Sequence, residues 1–491
     1  MSESRTFLRL ASPNERRTIS REDLGFYHAV VIGAVYEIHS RDMDVRSAQS
    51  FIPLLRQCVL QHPHLSIVVT DKHTEKPAYE AVTIVNLEDH VTIINDDPAI
   101  TSETDEATAF ERTLPPIMDR PWPADIPPWR IVVLPLDSPS TVARCLIAFA
   151  FSHALGDGIV GLTFHRTFLK ALRGPLESTC TRETSPVVTL PPGRTIPAPF
   201  DTPDRLPISW GFLLKPLLAA YLPTFLAKLL GLRAHATHLD AGTWTGSPMF
   251  FHPQAPQQTR VKLLTINASL LESALQACRT HDAKLTGLLH QLIVRALSKA
   301  LPDPTVTNFV SGTAVDMRAS IGQPPQTWGL FVGGHYDRHA RLAAEAASPA
   351  FSEEMWAAAS AMTKRLAECA ASLQDQAVGL LRYAPSIRNW TLAKLGHRRD
   401  CSYEVSNLRA FNGSGGADAA EGATISMMVF SQPGNATSGA LMFNLVSVQG
   451  GDLVCTVSWQ AGALDVPVDE EVGFVEGVCS SIRGDLEALR G

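Results

Sequence analysis

The sequence predicts an α/β (α+β) protein of two similar lobes with mixed sheets. Apolar or β-branched runs alternate with segments of helical period in both halves of the chain. Between those halves, positions 186–207 hold seven prolines in 22 residues, the composition of an extended crossover. With 491 residues the chain also exceeds one ordinary core, so two units are expected. The division drawn from these observations is 1–185 as an N-terminal lobe, 186–255 as crossover and hydrophobic helical segment, and 256–491 as a C-terminal lobe.

In chain order, Leu24 to Ile38 opens as a turn or short helix and runs into a β-branched strand. A helix is expected over Asp44 to Gln61, with Pro53 in its first turn, and His62-Pro-His64 breaks it before a strand at Ser66 to Thr70. An acidic helix is expected over Ser102 to Leu114 and proline-rich coil over Pro115 to Pro128. Strands follow at Trp129 to Leu134 and Arg144 to Phe151, antiparallel neighbours across a Ser/Pro turn, then a helix at Ile159 to Leu172 stopped by Gly174. The second half reads as a strand (Arg260 to Ile266), two helices (Ser269 to Cys278, Thr286 to Leu301), a strand (Val306 to Val315) and a helix (Glu353 to Leu373). Three strands (Ile425 to Phe430, Leu441 to Val448, Leu453 to Trp459) and a closing helix (Asp469 to Leu489) complete it, the last two strands joined by the hairpin turn 449–452.

Composition excludes several functions. Net charge is −7, and no basic cluster interleaved with aromatics occurs, so nucleic acid is not a partner. Eight scattered cysteines form no Cys-x-x-Cys and read as reduced core residues. The first residues lack the apolar core of a signal peptide, and a cytoplasmic protein is expected. The window 208–232 is the most hydrophobic in the chain, but Pro216, Pro223, Lys215 and Lys228 interrupt it, so it is not a membrane span. Two readings stay open for it: ordinary packing, or a partly exposed helix pair that touches a lipid surface or covers an apolar substrate.

The chemistry concentrates at Phe151-Ser-His153-Ala-Leu-Gly-Asp157-Gly158. Seven uninterrupted apolar residues, Cys145 to Phe151, end abruptly in a histidine where a strand gives way to a helix. Such strand ends border open clefts, and an imidazole is the natural proton acceptor near neutral pH. His-x-x-x-Asp-Gly arises by chance roughly 0.06 times in a chain of this composition, so context decides its meaning. A satisfied core histidine, with Asp157 capping the next helix, is the other reading. His153 and Asp157 supply two ligands where a catalytic metal site needs three, so no metal is expected.

These residues resemble the His-x-x-x-Asp-Gly motif of the coenzyme A-dependent acyltransferase superfamily, which includes chloramphenicol acetyltransferase and condensation domains. Within it the chain is most similar to the fungal alcohol O-acetyltransferases, through Leu24-Gly-Phe-Tyr27, Trp244-Thr-Gly-Ser-Pro248, Glu404-Val-Ser-Asn-Leu408 and Phe430-Ser-Gln432 in the expected order. The resemblance implies two pseudo-symmetric chloramphenicol-acetyltransferase-like lobes with a tunnel between them. It implies acyl transfer from acetyl-CoA, a co-substrate with no permanently bound cofactor beside it, to the hydroxyl of a small alcohol or fungal secondary metabolite. His153 would act as general base and Asp157 would pair with Arg318; Gly158 would permit the tight turn, and Ser406 and Asn407 would border the substrates. A single chain would suffice, so a monomer is expected. Ser152 stands where condensation domains carry a second histidine, which disfavours carrier-protein chemistry, and Thr327 to Phe331 is a loose counterpart of the plant enzymes' motif, so donor recognition is not carried over. A noncatalytic lobe pair that binds an apolar metabolite is the alternative.

Overall fold

The strand that ends at His153 is buried on both faces, which explains its uninterrupted apolar run. Its odd-numbered residues Cys145, Ile147, Phe149 and Phe151 enter one core, and Leu146, Ala148 and Ala150 enter another on the opposite face. The computed structural model that shows this describes residues 5–39, 43–95, 105–137, 142–174, 185–222, 226, 239–254, 258–342, 351–413 and 422–489.

In chain order the strands are β1 (Arg5–Leu10), β2 (Val30–Ile38), β3 (Ile67–Thr70), β4 (Ala78–Val82), β5 (Ile84–Asn86), β6 (Val91–Ile93), β7 (Trp129–Leu136), β8 (Ala143–Phe151), β9 (Val187–Thr189), β10 (Thr259–Ile266), β11 (Asn308–Asp316), β12 (Val332–Ala340), β13 (Tyr403–Phe411), β14 (Ala423–Ser431), β15 (Leu441–Val448) and β16 (Leu453–Gln460). A five-stranded mixed sheet runs β14-β2-β8-β7-β6, and a six-stranded mixed sheet runs β10-β16-β15-β13-β11-β12. Smaller sheets pair β1-β4-β3 and β5-β9. Helices Ile52–Gln61 and Gly158–Arg173 cover one face of the first sheet. The helix Glu106–Asp119 covers the other and wedges between the two sheets, placing Phe110, Leu114 and Met118 beside Val261 and Leu263 of β10. It also satisfies the β10 edge, because the Glu111 carboxylate accepts the Leu263 N–H at 2.8 Å. In the second lobe, helix Leu285–Ala300 packs between Glu353–Ala371 and Glu471–Ala488.

Several expectations are corrected. The helix expected to stop at Leu114 continues through Pro115 and Pro116 to Asp119, its last turn held by the buried Ile117 and Met118 despite the two missing backbone donors. Its expected start at 102–104 lies outside the described residues. The helix expected from Asp44 begins at Ile52, after a 3₁₀ turn over Ala48–Phe51, with Pro53 in its first turn. The helix Gly158–Arg173 does stop at Gly174, which caps it in an extended conformation (φ −70°). The crossover is not wholly irregular, since β9 pairs with β5. β14, from the 256–491 stretch, is hydrogen-bonded along its length to β2 in the first sheet, so the chain returns to the first lobe before finishing the second. Of the hydrophobic window, Trp210–Tyr221 is helical, and 223–225 and 227–232 lie outside the described residues. Among the described residues no helix is long and apolar enough to cross a membrane.

Candidate active site

His153 follows β8 by two residues, in a turn that Gly156 closes with φ +152°. A side chain at 156 would lie 2.5 Å from Val160 Cγ2 and 2.9 Å from the Gly329 carbonyl, so only glycine fits. The turn fixes the imidazole tautomer. His153 Nδ1 lies 2.9 Å from the Gly156 carbonyl oxygen, which can only accept; Nδ1 therefore carries the proton and Nε2 keeps its lone pair. Burial first, then the charges of Arg21 and Arg17, push the imidazole down to about 4, so it is neutral at pH 7.

Asp157 turns away from His153 and holds the loop to the second lobe. Its Oδ1 accepts from Arg318 Nη2 at 2.8 Å and from the Ile159 amide at 3.1 Å, and its Oδ2 from the Phe331 amide at 2.9 Å. Arg318 also reaches Asp316 Oδ1 (3.0 Å) and the carbonyls of Thr327 and Gly329. Both charges are almost fully enclosed. Burial opposes each of them, but Asp157 and Asp316 together hold the guanidinium above its ordinary range. The Thr327 to Phe331 segment is thus the second lobe's cradle for the Asp157 loop. Gly158 has no special turn geometry; a Cβ there would stand 2.6 Å from Leu408 Cδ2 of β13 and would displace that side chain.

The face of β13 that carries Leu408 also carries Ser406 and Glu404, two and four residues back. Asn407 points the other way, its Nδ2 donating to Thr286 Oγ1 at 3.2 Å and its Oδ1 accepting the Arg409 amide. Two segments quoted from the sequence meet here. The Tyr27 ring packs 5.6 Å from the His153 ring, and its hydroxyl donates to Gln432 Oε1 at 2.7 Å; Gln432 in turn donates to Asn444 Oδ1. Tyr27 also lines a cavity of about 410 Å³ with Phe26, His28, Phe251, Gln258 and Pro433, which is the size of a small-molecule site.

Sequence reasoning missed the polar helix Pro13–Asp23, which brings Arg17 and Arg21 to the site. Its signal was present as a capping box: the Ser12 hydroxyl accepts the Glu15 amide while the Glu15 carboxylate accepts the Ser12 amide at 2.8 Å. Ser152 ties this helix to the end of β8 by donating to Glu22, which Lys72 also bridges at 2.7 Å.

Two α/β lobes that meet around a histidine at a strand end define the chloramphenicol-acetyltransferase-like fold, and solved structures of O-acetyltransferases and condensation domains superpose on the chain. The trichothecene 15-O-acetyltransferase TRI3 of Fusarium sporotrichioides matches with a TM-score of 0.62 at 12% identity, over 97% of this chain and 94% of its own. F. graminearum TRI101, solved with ethyl coenzyme A, matches with a TM-score of 0.57 at 12% identity, over 94% and 96%. The alcohol acetyltransferase family model matches residues 105–471, well over half of the chain, and the protein belongs to that family. A probable alcohol acetyltransferase of Fusarium pseudograminearum, FCK4, is 25% identical over 454 residues, covering 90% of this chain and 86% of the relative.

Proposed function

We propose that the enzyme transfers an acetyl or short acyl group from acyl-CoA to the hydroxyl of a small alcohol or secondary metabolite, with His153 as general base. The observation that carries this is the locked tautomer: Nδ1 is committed to Gly156, so Nε2 is left as the proton acceptor. As the acceptor oxygen attacks the thioester carbonyl, its proton passes to Nε2 and the new C–O bond forms. The C–S bond then breaks, and the imidazolium returns the proton to the departing thiolate. No covalent enzyme intermediate is needed, and general-base assistance of this kind contributes about 10² to 10⁴ in rate. Asp157 and Arg318 serve as positioning residues that pin the loop between lobes, and Gly158 allows Leu408 to approach it. Ser406, on the β13 face toward the loop, is the better candidate to meet substrate; the Asn407 amide is occupied within the second lobe.

A single chain acting in the cytoplasm is part of this reading. So is lipid contact through the helix Trp210–Tyr221, supported by Trp210, Leu214 and Leu218, which are exposed at spacings of four on one side. The decisive experiment follows thiol release from acetyl-CoA across a panel of alcohols and hydroxylated metabolites. Acceptor-dependent release that drops about 10²-fold or more in His153→Ala is the expected result; equal activity in the mutant would remove His153 from the chemistry.

A further inference from the structure

Two guanidinium groups close to His153 form no hydrogen bond or ion pair among the described residues. Arg17 and Arg21 lie one turn apart on the helix Pro13–Asp23, and neither makes a hydrogen bond or ion pair. Arg17 Nε and Arg21 Nε and Nη2 are closed off from solvent. Arg21 lies 4.8 Å from the centre of the Tyr27 ring, whose own distance to the His153 ring is 5.6 Å. Burial, then the like charge of Arg17, lower Arg21 to about 10, against the weaker opposing pull of Tyr27 and Glu404. The nearby carboxylate, Glu404 of β13, acts on Arg21 through its charge but forms no ion pair with it; its Oε1 accepts from the Ser438 hydroxyl and lies 3.9 Å from the Cys401 thiol.

Partly buried cations without an ion-pair partner carry a desolvation cost, and a site that keeps two of them side by side favours an anion. The charged groups of an acyl-CoA donor lie a pantetheine arm away from its thioester, so the anion near His153 belongs to the acceptor. We infer that Arg17 and Arg21 bind a carboxylate on the acceptor, making the preferred substrate a hydroxy acid rather than a simple alcohol. This rests on the acyl-transfer reading and deepens it. It also resolves a difficulty in that reading. With two unpaired cations close by, the imidazolium that forms on proton transfer is disfavoured, and a base is most effective when its pKa lies near the working pH. A carboxylate bound between the guanidiniums removes much of that repulsion, so the acceptor itself restores the basicity of His153.

The test uses 4-(hydroxymethyl)benzoate, mandelate and 3-hydroxybutyrate, each beside its methyl ester, with the full-length chain and its Arg17→Gln, Arg21→Gln, double and Arg21→Lys variants. Calorimetric binding is expected to favour at least one acid over its ester by about ten- to a hundredfold in the wild type, with the ratio falling toward one in the glutamine variants and partly kept in Arg21→Lys. Equal binding of acid and ester to the wild type, binding by no acid, or an acid preference that persists in the double variant would each overturn the carboxylate site. The transfer reading is decided separately by thiol release from acetyl-CoA in the wild type. Release with the methyl esters and no selection for the acids removes the carboxylate site and leaves acyl transfer standing; an acid preference in binding with no release from any acceptor does the reverse.

Discussion

Asp157 shows how a buried charged residue can serve as a clasp between two lobes. Its carboxylate spans a gap between lobes to reach Arg318 at 2.8 Å and the Phe331 amide at 2.9 Å, with both ionic partners almost entirely enclosed. Removing one charge from such a pair strands the other, at a cost of about 3 kcal/mol or more. Asp157→Asn is therefore expected to lower stability by that amount in urea denaturation and to reduce kcat, because the loop that aims His153 loses its anchor. Unchanged stability would mean that Asp316 alone suffices for Arg318. The His-x-x-x-Asp-Gly spacing made His153, Asp157 and Gly158 legible in the sequence, because strand, turn and helix are all local there. Tyr27 was marked only as part of the Leu24-Gly-Phe-Tyr27 segment, and Arg17 and Arg21 carried no mark at all. Their nearness to His153 depends on a helix and a strand start more than a hundred residues earlier in the chain, and no local period encodes that distance.

At the scale of elements, the helix Gly158–Arg173 sits on the first sheet at a separation set by one missing side chain. A Cβ at Gly161 would lie 2.1 Å from Ile32 Cγ1 and 2.6 Å from Ile32 Cβ, and the branched Ile32 is held within β2. Gly161→Ala is expected to cost about 1 to 3 kcal/mol despite alanine's better helix propensity, measured by chemical denaturation; a gain in stability would show that helix and sheet separate freely. The exposed stripe of the helix Trp210–Tyr221 predicts that the protein floats with anionic liposomes, and that Trp210→Ser with Leu214→Ser abolishes flotation. Wild type that stays in the bottom fraction would assign the stripe to another role. Elements with a strong apolar period were the readable ones: β8 and helix Leu285–Ala300 fall within a residue of expectation. β12, whose sequence Val-Gly-Gly-His-Tyr-Asp-Arg-His-Ala lacks an apolar alternation, escaped notice because it is an edge strand stabilised mainly by its pairing with β11.

The whole molecule keeps many imidazoles neutral in its interior. Burial pushes His62, His90, His153, His165 and His339 down to about 4 and His64 to about 3, from an ordinary value near 6.5. A lowered folded-state pKa means that the unfolded chain binds more protons in this window. The contribution to stability is fully present above about 6.5 and is lost as pH falls toward 4. The unfolding midpoint is expected to be level from pH 8 to 7 and to fall steeply between about 6.5 and 4; a level profile across that window would show that these rings are charged in the folded state. By itself the sequence determined the two-lobed α/β class, most of the strands and helices, and the motif at His153, because each is written in local periodicity or in a short spacing. Only the tertiary structure decided that β14 returns to the first sheet, that Arg318 and the 327–331 segment clasp Asp157, and that Arg17 and Arg21 come close to His153. Those are pairings over long stretches of chain, selected by which buried surfaces and charges complement one another once the whole polypeptide is folded.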